Sequence, residues 1–216
     1  MTLPLRKSIL TAVGAVAFAA SAQAANLLSN GSFEAESSAS YAFAQNWKMN
    51  DPDDHGDAWG NAGRENWRAK DGSFIMAIRG LWVDMGDNGG VWQEVEGQPG
   101  RTYRLSAWFW ADSMWNPQTQ EMKLEFWNWD RSQMLGSSVQ KIEGVGEDWK
   151  EISLTATAPE GTEWVRAVFL ASGVSSAGSL QIDDASLEVV SSAPANTDSG
   201  GATESSGDYE FLNFGE

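Results

Sequence analysis

Two stretches of this chain alternate apolar residues with tryptophan and charged side chains, and they hold the residues best suited to binding a ligand. One face of the first stretch carries Arg104, Ser106, Trp108 and Trp110. One face of the second stretch carries Lys123, Glu125, Trp127 and Trp129. An indole ring presents a flat apolar surface, while guanidinium, carboxylate and hydroxyl groups form hydrogen bonds. Each face therefore suits a ligand with an apolar side and a polar rim.

A pyranose ring is such a ligand, because its axial C–H bonds make one side apolar and its hydroxyls line the edge. Covering about 100 Å² of indole contributes at most about 2.5 kcal/mol for each stacked ring. Two or three stacked rings, less the cost of association, predict affinities that are roughly micromolar to millimolar. Trp82 and Arg79 complete the set of candidate ligand-binding residues.

The tryptophans also have a structural interpretation, in which most of the 12 indoles pack under loops or between sheets. For Trp47, Trp149 and Trp164, which lie at the edges of predicted strands or loops, a core role explains the position equally well. The two alternating stretches favour binding, because a face that mixes indoles with hydrogen-bonding groups fills a core poorly.

The elements that must position these residues are short alternating runs separated by Gly, Pro, Asn and Asp. The predicted strands are residues 73–79, 91–96, 102–111, 122–129, 151–157, 164–171 and 179–189. This spacing predicts an all-β chain, folded as a sandwich of two antiparallel sheets. If the two tryptophan-bearing strands lie in one sheet, their outward faces form a single strip of up to four indoles.

Composition excludes several functions. The formal net charge is −16, with 30 acidic against 14 basic side chains, which argues against nucleic acids and anionic membranes as partners. The chain has no cysteine and a single histidine, so disulfides, cysteine-ligated zinc and multi-histidine metal sites are excluded. Carboxylate chemistry and tryptophan surfaces remain. The acidic balance also favours neutral glycans over sulfated or uronic ones.

The chain divides into three parts. Residues 1–24 have two basic residues before an apolar run and a small-x-small end, which predicts a signal peptide and a secreted or periplasmic protein. Residues 25–190 form the predicted sandwich, large enough for one core. Residues 191–216 are small, polar and acidic, which predicts a disordered tail. We expect the mature protein to be a monomer.

Several short motifs occur in a distinctive order along the predicted sandwich. They are Asn-Gly-Ser-Phe-Glu at 30–34, Asp-Gly-Ser-Phe at 71–74, Pro-Gly-Arg-Thr-Tyr at 99–103, Trp-Lys-Glu at 149–151 and Ile-Asp-Asp-Ala-Ser-Leu at 182–187. Together they resemble the jelly-roll carbohydrate-binding modules of the xylan- and glucan-binding type found beside bacterial cellulases and xylanases. The resemblance spans nearly all of residues 26–190 and implies the jelly-roll form of the sandwich.

The resemblance also implies a structural Ca²⁺ that joins the first strand to the last. Its side-chain ligands would be Glu34 and Asp183, with backbone carbonyls near Gly31 and Asp71 completing the shell. Calcium prefers six to eight oxygen ligands, so this donor set is chemically suitable. The alternative is that Asp183 and Asp184 only cap a strand end and that Glu34 is solvated.

These observations predict an exported, non-catalytic protein that stacks a neutral polysaccharide on a tryptophan-lined groove and carries one structural calcium ion. One alternative is a small glycoside hydrolase on the same fold, using two carboxylates among Glu94, Glu96, Glu121 and Glu125. A second alternative is an extracellular matrix or surface-assembly protein whose aromatic strip binds other proteins.

Overall fold

A computed structural model describes residues 25–38, 40–49, 62–80, 89–174 and 177–191 of the chain. The predicted signal peptide, the candidate residue Trp82 and the tail beyond residue 191 lie outside the described residues. Within them the structure is all-β, and the predicted fold class is confirmed.

Twelve strands are present in the described residues. They are β1 (Glu36–Ser37), β2 (Ser40–Ala44), β3 (Lys48–Met49), β4 (Ala62–Glu65), β5 (Ile75–Arg79), β6 (Gly89–Glu96), β7 (Thr102–Ala111), β8 (Thr119–Trp127), β9 (Met134–Lys141), β10 (Lys150–Thr157), β11 (Trp164–Ser172) and β12 (Ser179–Ser191). The first five-stranded sheet has the order β3-β6-β11-β8-β9, and the second has the order β10-β7-β12-β5-β4. Neighbouring strands in both sheets are antiparallel. Strands β1 and β2 pair separately.

The core lies between the two sheets and is filled by the inward side chains of each strand. The inward-facing buried residues of β7 are Tyr103, Leu105, Ala107, Phe109 and Ala111, and those of β8 are Met122, Leu124 and Phe126. These are the inward faces that the period-two alternation predicts for both strands. The core also contains Trp47, whose indole Nε1 donates to the carbonyl of Asn30 at 2.9 Å, so the core role proposed for this residue is confirmed.

The two tryptophan-bearing strands lie in opposite sheets, because β7 belongs to the second sheet and β8 to the first. The expected single strip of four indoles is therefore wrong. Alternation determines which side of its own sheet a residue faces, but it contains no information on which sheet the strand joins. The connection between β7 and β8 crosses from one sheet to the other, so the outward faces of the two strands point away from each other.

Strand β9 was not predicted, because it lies at the edge of the first sheet and pairs on one side only, with β8. Its side chains are exposed or half-buried, so it lacks the apolar alternation of a covered strand. The predicted strand 122–129 is displaced along the chain, since β8 begins at Thr119 and ends at Trp127. Trp129 lies in the turn that follows and is 73% exposed.

The segment before β1 runs beside the last strand and ties the two ends of the domain together. The backbone N–H of Leu27 donates to the carbonyl of Leu187 at 2.8 Å, and that of Ala185 donates to the carbonyl of Gly31 at 2.8 Å. The side-chain amide of Asn26 adds a hydrogen bond to the carbonyl of Ala185 at 3.0 Å. This closure stabilises a domain that has no disulfides.

Gly31 is required where these two segments meet. A Cβ at this position would collide with the backbone carbonyl oxygen of Ala185, which cannot move without breaking the pairing. We expect Gly31→Ala to lower the free energy of unfolding by about 2–3 kcal/mol, measured by urea unfolding. Gly146→Ala is the matched control, because a Cβ there meets no atom within 4 Å. Equal stability of the two variants would contradict the assigned packing.

Candidate functional site

The outer side of the first sheet carries a cluster of two indoles and three charged side chains, which we call the Arg166 face. Its residues are Trp92 and Glu94 on β6, Arg166 on β11, and Glu125 and Trp127 on β8. The register places Arg166 directly opposite Glu94 on one side and Glu125 on the other. Because directly opposed residues in an antiparallel sheet point to the same side, all five side chains project outward together.

Arg166 is the centre of this face. Its guanidinium carbon lies 4.0 Å from the ring centroid of Trp92 and 4.7 Å from that of Trp127. Its terminal nitrogens lie 3.1 Å from a carboxylate oxygen of Glu94 and 3.7 Å from one of Glu125. The indole Nε1 of Trp127 donates to Glu125 at 3.1 Å. The five side chains therefore form one connected network that orients both indoles.

A second group of aromatic and charged residues extends this face at one end. The guanidinium of Arg131 lies 3.6 Å from the ring centroid of Trp164, and its Nε donates to Glu94 at 2.6 Å. The indole Nε1 of Trp164 donates to the carbonyl of Trp129 at 3.0 Å. Trp129, at 73% exposure, is the most exposed tryptophan among the described residues. At this end of the face, the backbone of an exposed tryptophan is therefore bonded to Trp164, which is itself in contact with the charged network.

Sequence reasoning placed Glu125, Trp127 and Trp129 in the site but missed Arg166 and Trp164 as its partners. The signal was available, because β11 alternates Trp164 and Arg166 with buried Val165 and Ala167. The same alternation occurs in β6, where Trp92 and Glu94 flank buried Gln93. Both strands therefore alternate buried residues with outward tryptophan and charged residues, as β7 and β8 do.

The carboxylates considered for glycoside hydrolysis are arranged differently from a catalytic pair. Glu94 and Glu125 both bind Arg166, whose guanidinium occupies the space between them. A hydrolase holds the scissile bond between its two carboxylates. Glu121 pairs instead with Lys123 at 2.7 Å.

The outer side of the second sheet holds Trp108 and Trp110, and cationic side chains from the segment before β5 cover both indoles. The ammonium group of Lys70 lies 4.4 Å from the ring centroid of Trp108. The guanidinium of Arg68 lies 4.2 Å from the ring centroid of Trp110. Trp110 is only 4% exposed. The ring of Trp110 is therefore not an open stacking surface, because Arg68, from a loop distant in sequence, packs over it.

The remaining candidate residues do not join the Arg166 face. Arg104 lies on the outer side of the second sheet, 3.9 Å from Glu151. Arg79 is half-buried on the same sheet and forms an ion pair with Glu65. Trp82 is outside the described residues. The candidates from the sequence are thus divided between two opposite faces of the sandwich.

The residues of the expected calcium site lie around the segment 70–74. One carboxylate oxygen of Asp183 accepts hydrogen bonds from the backbone N–H groups of Lys70 and Asp71 at 2.9 and 3.2 Å. One carboxylate oxygen of Glu34 accepts from those of Ser73 and Phe74 at 2.8 and 2.9 Å. The two carboxylates therefore bind opposite ends of the same short peptide.

Asp183 is fully buried, and desolvation raises the pKa of its carboxyl from 3.8 to about 6. Its three hydrogen-bond donors are backbone N–H groups, which favour the charged form but do not offset the burial. The ammonium of Lys70 binds the neighbouring Asp184 at 2.9 Å. A buried carboxylate without a cationic side chain bonded to it is a group that a metal ion would stabilise.

The donor chemistry at this position fits calcium. The candidate ligands are carboxylate and carbonyl oxygens, which hard cations prefer. The carbonyl of Gly31 already accepts a hydrogen bond from Ala185, so it would be shared with the ion. Among the described residues, no group of three or more His, Cys, Asp or Glu side chains is close enough to hold a metal by side chains alone. Backbone oxygens would therefore supply much of the coordination.

Solved structures with similar folds include a family 16 carbohydrate-binding module, at 20% identity and a TM-score of 0.53 over 75% of this chain and 99% of that one. A xylan-binding domain from Paenibacillus barcinonensis is 14% identical, with a TM-score of 0.52 over 81% and 100%. The enzymatically active domain of bacteriophage CBA120 tailspike protein 4 is 18% identical, with a TM-score of 0.56 over 76% of this chain and 21% of that one. The predicted likeness to jelly-roll carbohydrate-binding modules is confirmed for the fold.

The sequence itself matches no protein-family model and no curated protein. None of the described residues forms a helix that is long and apolar enough to cross a membrane.

Proposed function

We propose that this protein is exported and binds a neutral polysaccharide without cleaving it, using the Arg166 face and the adjoining Trp129. The observation that carries the proposal is the exposed indole of Trp129, whose backbone carbonyl is bonded to Trp164 next to Arg131 and Glu94. A fold similar to that of carbohydrate-binding modules supports the same function. The predicted signal peptide at residues 1–24 supports export.

The cation–π contacts favour Trp129 as the position where a sugar stacks. Guanidinium and ammonium groups lie over the indoles of Trp92 and Trp164, which removes at least one side of each ring from contact with a ligand. Trp129 projects from a turn into solvent. A pyranose ring stacked there covers apolar surface that is otherwise wet and gains up to about 2.5 kcal/mol from 100 Å² of contact.

The polar part of the face suits hydroxyl groups rather than charged ones. Two carboxylates, from Glu94 and Glu125, are matched by two guanidinium groups, from Arg131 and Arg166. The charges within this network therefore cancel, so the network itself favours neither an anionic nor a cationic ligand. Paired charges still offer unused lone pairs and N–H groups at their edges, and sugar hydroxyls can both donate to and accept from them.

The proposal includes one structural Ca²⁺, held by Glu34 and Asp183 with backbone oxygens near Gly31 and Asp71. The ion would neutralise the buried charge of Asp183 and tie the first segment of the domain to its last strand. It lies on the second-sheet side of the domain, so it stabilises the fold and does not contact a polysaccharide on the Arg166 face.

We expect Trp129→Ala to raise the dissociation constant for the preferred polysaccharide at least tenfold, because the variant loses the stacking surface. Affinity gel electrophoresis with xylan, β-glucan and mannan identifies the ligand, and calorimetry with its hexasaccharide measures the effect. Trp129→Phe should retain most of the affinity, since it keeps an aromatic plane. Thermal unfolding should be nearly the same for all three proteins, because this side chain is exposed.

Two results would contradict the proposed function. One is equal binding by the wild type and by Trp129→Ala. The other is release of reducing sugar from any of the three polysaccharides, abolished by Glu94→Gln or Glu125→Gln, which would show a hydrolase.

A further inference from the structure

A cavity lies on the opposite side of the sandwich from the Arg166 face, and we call it the Gln181 pocket. It has a volume of about 390 Å³, within the roughly 300–1,000 Å³ range of ligand sites. Its lining includes Trp67, Arg68, Trp110, Asp112, Ser179 and Gln181. They come from the segment before β5, from the end of β7 and from the start of β12.

The polar wall of this pocket is ordered by a chain of hydrogen bonds. A carboxylate oxygen of Asp112 accepts from the backbone N–H of Ser179 at 2.7 Å and from its hydroxyl at 3.2 Å. The hydroxyl oxygen of Ser179 in turn accepts from Nε2 of Gln181 at 3.5 Å. In this arrangement Nε2 of Gln181 is the donor to Ser179, and Oε1 points away from Ser179.

Gln181 is only 4% exposed, and no group among the described residues donates a hydrogen bond to its buried carbonyl oxygen Oε1. An unmet acceptor of this kind costs about 1–3 kcal/mol, and such groups in folded proteins usually have a water or ligand partner. The last torsion of a glutamine side chain is soft, so the amide can turn toward a group that enters the cavity.

The lining defines the chemistry of that group. Trp67 is 45% exposed and supplies an apolar wall, with Trp110 buried beneath Arg68. Oε1 of Gln181 requires a donor, which a hydroxyl can supply. The guanidinium of Arg68 disfavours a cationic ligand, while the carboxylate of Asp112 and the Gln181 oxygen disfavour an anionic one. A neutral hydroxylated ring meets all of these conditions.

We infer that the Gln181 pocket binds a single neutral pyranose ring, stacked on Trp67 and hydrogen-bonded to Gln181 and Arg68. The inference rests on the proposed function for its class of ligand, but it assigns a separate site on the other sheet. The protein would then engage two glycan segments at once, on opposite sides of the domain.

The pocket is tested by titrating the full-length mature protein with methyl β-D-xyloside, methyl β-D-glucoside and methyl β-D-mannoside while observing the tryptophan indole N–H signals by NMR. The experiment uses the Trp129→Ala background, so that stacking at the Arg166 face does not contribute. We expect one glycoside to shift the Trp67 and Trp110 signals with saturation, and Trp67→Ala to weaken that binding at least tenfold.

Gln181→Leu separates a ligand role from a structural one. This change removes an acceptor that has no partner, so the melting temperature should stay the same or rise, while the dissociation constant of the glycoside increases about tenfold. Gln93→Leu is the matched control. Its amide exchanges hydrogen bonds of 2.7 and 2.8 Å with the backbone of Ser29, so it should lower the melting temperature and leave glycoside binding unchanged.

The outcomes distinguish this inference from the proposed function. If none of the glycosides shifts the Trp67 and Trp110 signals, or if Gln181→Leu binds as well as the parent protein, the pocket is not a sugar site. Polysaccharide binding that depends on Trp129 would still stand. Conversely, the Trp67 signal could shift with saturation while polysaccharide binding does not depend on Trp129. That result would support the pocket as a sugar site and refute the Arg166 face as the polysaccharide site.

Discussion

Replacing Arg166 with alanine is expected to destabilise the domain by about 3 kcal/mol and to abolish polysaccharide binding. The guanidinium contacts two indoles and two carboxylates, and it is only 18% exposed. Its removal leaves Glu94 and Glu125 without a common partner in a half-buried position, which is costly. For a domain of this size the melting temperature should fall by roughly 6–12 °C.

A triple variant separates stability from recognition. Glu94→Gln, Arg166→Met and Glu125→Gln together remove the network without leaving a buried unpaired charge, because Arg131, which loses its carboxylate, is 42% exposed. Methionine can still pack between the two indoles. We expect this protein to recover most of the melting temperature but to bind the hexasaccharide at least tenfold more weakly than the wild type. Recovery of binding together with stability would show that the network is only structural and would contradict its place in the site.

The second large effect is expected at Asp183, where pH and calcium should act on the same carboxylate. When a chelator has removed calcium, desolvation raises the pKa of the buried Asp183 carboxyl from 3.8 to about 6. Between pH 3.8 and about pH 6, Asp183 therefore holds a proton in the folded state that it has lost in the unfolded state. The free energy of unfolding falls as the pH rises through this range. The shift corresponds to about 3 kcal/mol. Without metal, the protein should melt at higher temperature at pH 4.5 than at pH 7.

Calcium should reverse this loss at neutral pH, because a cation beside Asp183 stabilises the ionised form. We expect calcium at about 1 mM to raise the melting temperature at pH 7 by several degrees over that measured in chelator. This concentration is on the order of the dissociation constants of extracellular calcium-binding modules. Asp183→Asn should remove both the pH dependence between 4.5 and 7 and most of the response to calcium. Asp148→Asn, a change at an exposed aspartate, is the control.

Each half of this prediction can fail by itself. A melting temperature at pH 7 that is the same in chelator and in calcium would refute the metal site. A melting temperature in chelator that does not fall between pH 4.5 and pH 7 would show that Asp183 keeps its charge without cost in the folded protein. Calorimetry at a series of pH values, with and without calcium, measures both.

The sequence alone was sufficient for the local features of this protein. The period-two alternation in residues 102–111 and 122–127 predicts which side chains face the core, because successive residues in a strand must point to opposite sides. The core position of Trp47 was left open, and the structure places it beside Phe33, at a ring distance of 5.0 Å. The resemblance of short motifs to carbohydrate-binding modules was sufficient for the class of fold.

Only the tertiary structure decided which of these faces work together. Trp108 and Trp127 occur in similar patterns, yet their strands join opposite sheets, and Arg166, rather than a neighbour in sequence, is the partner of Trp127. Arg68 buries Trp110 from a loop more than forty residues earlier in the chain. Local periodicity reports the direction of a side chain relative to its own strand, whereas these contacts depend on pairing between distant segments, which is set by the packing of the whole domain.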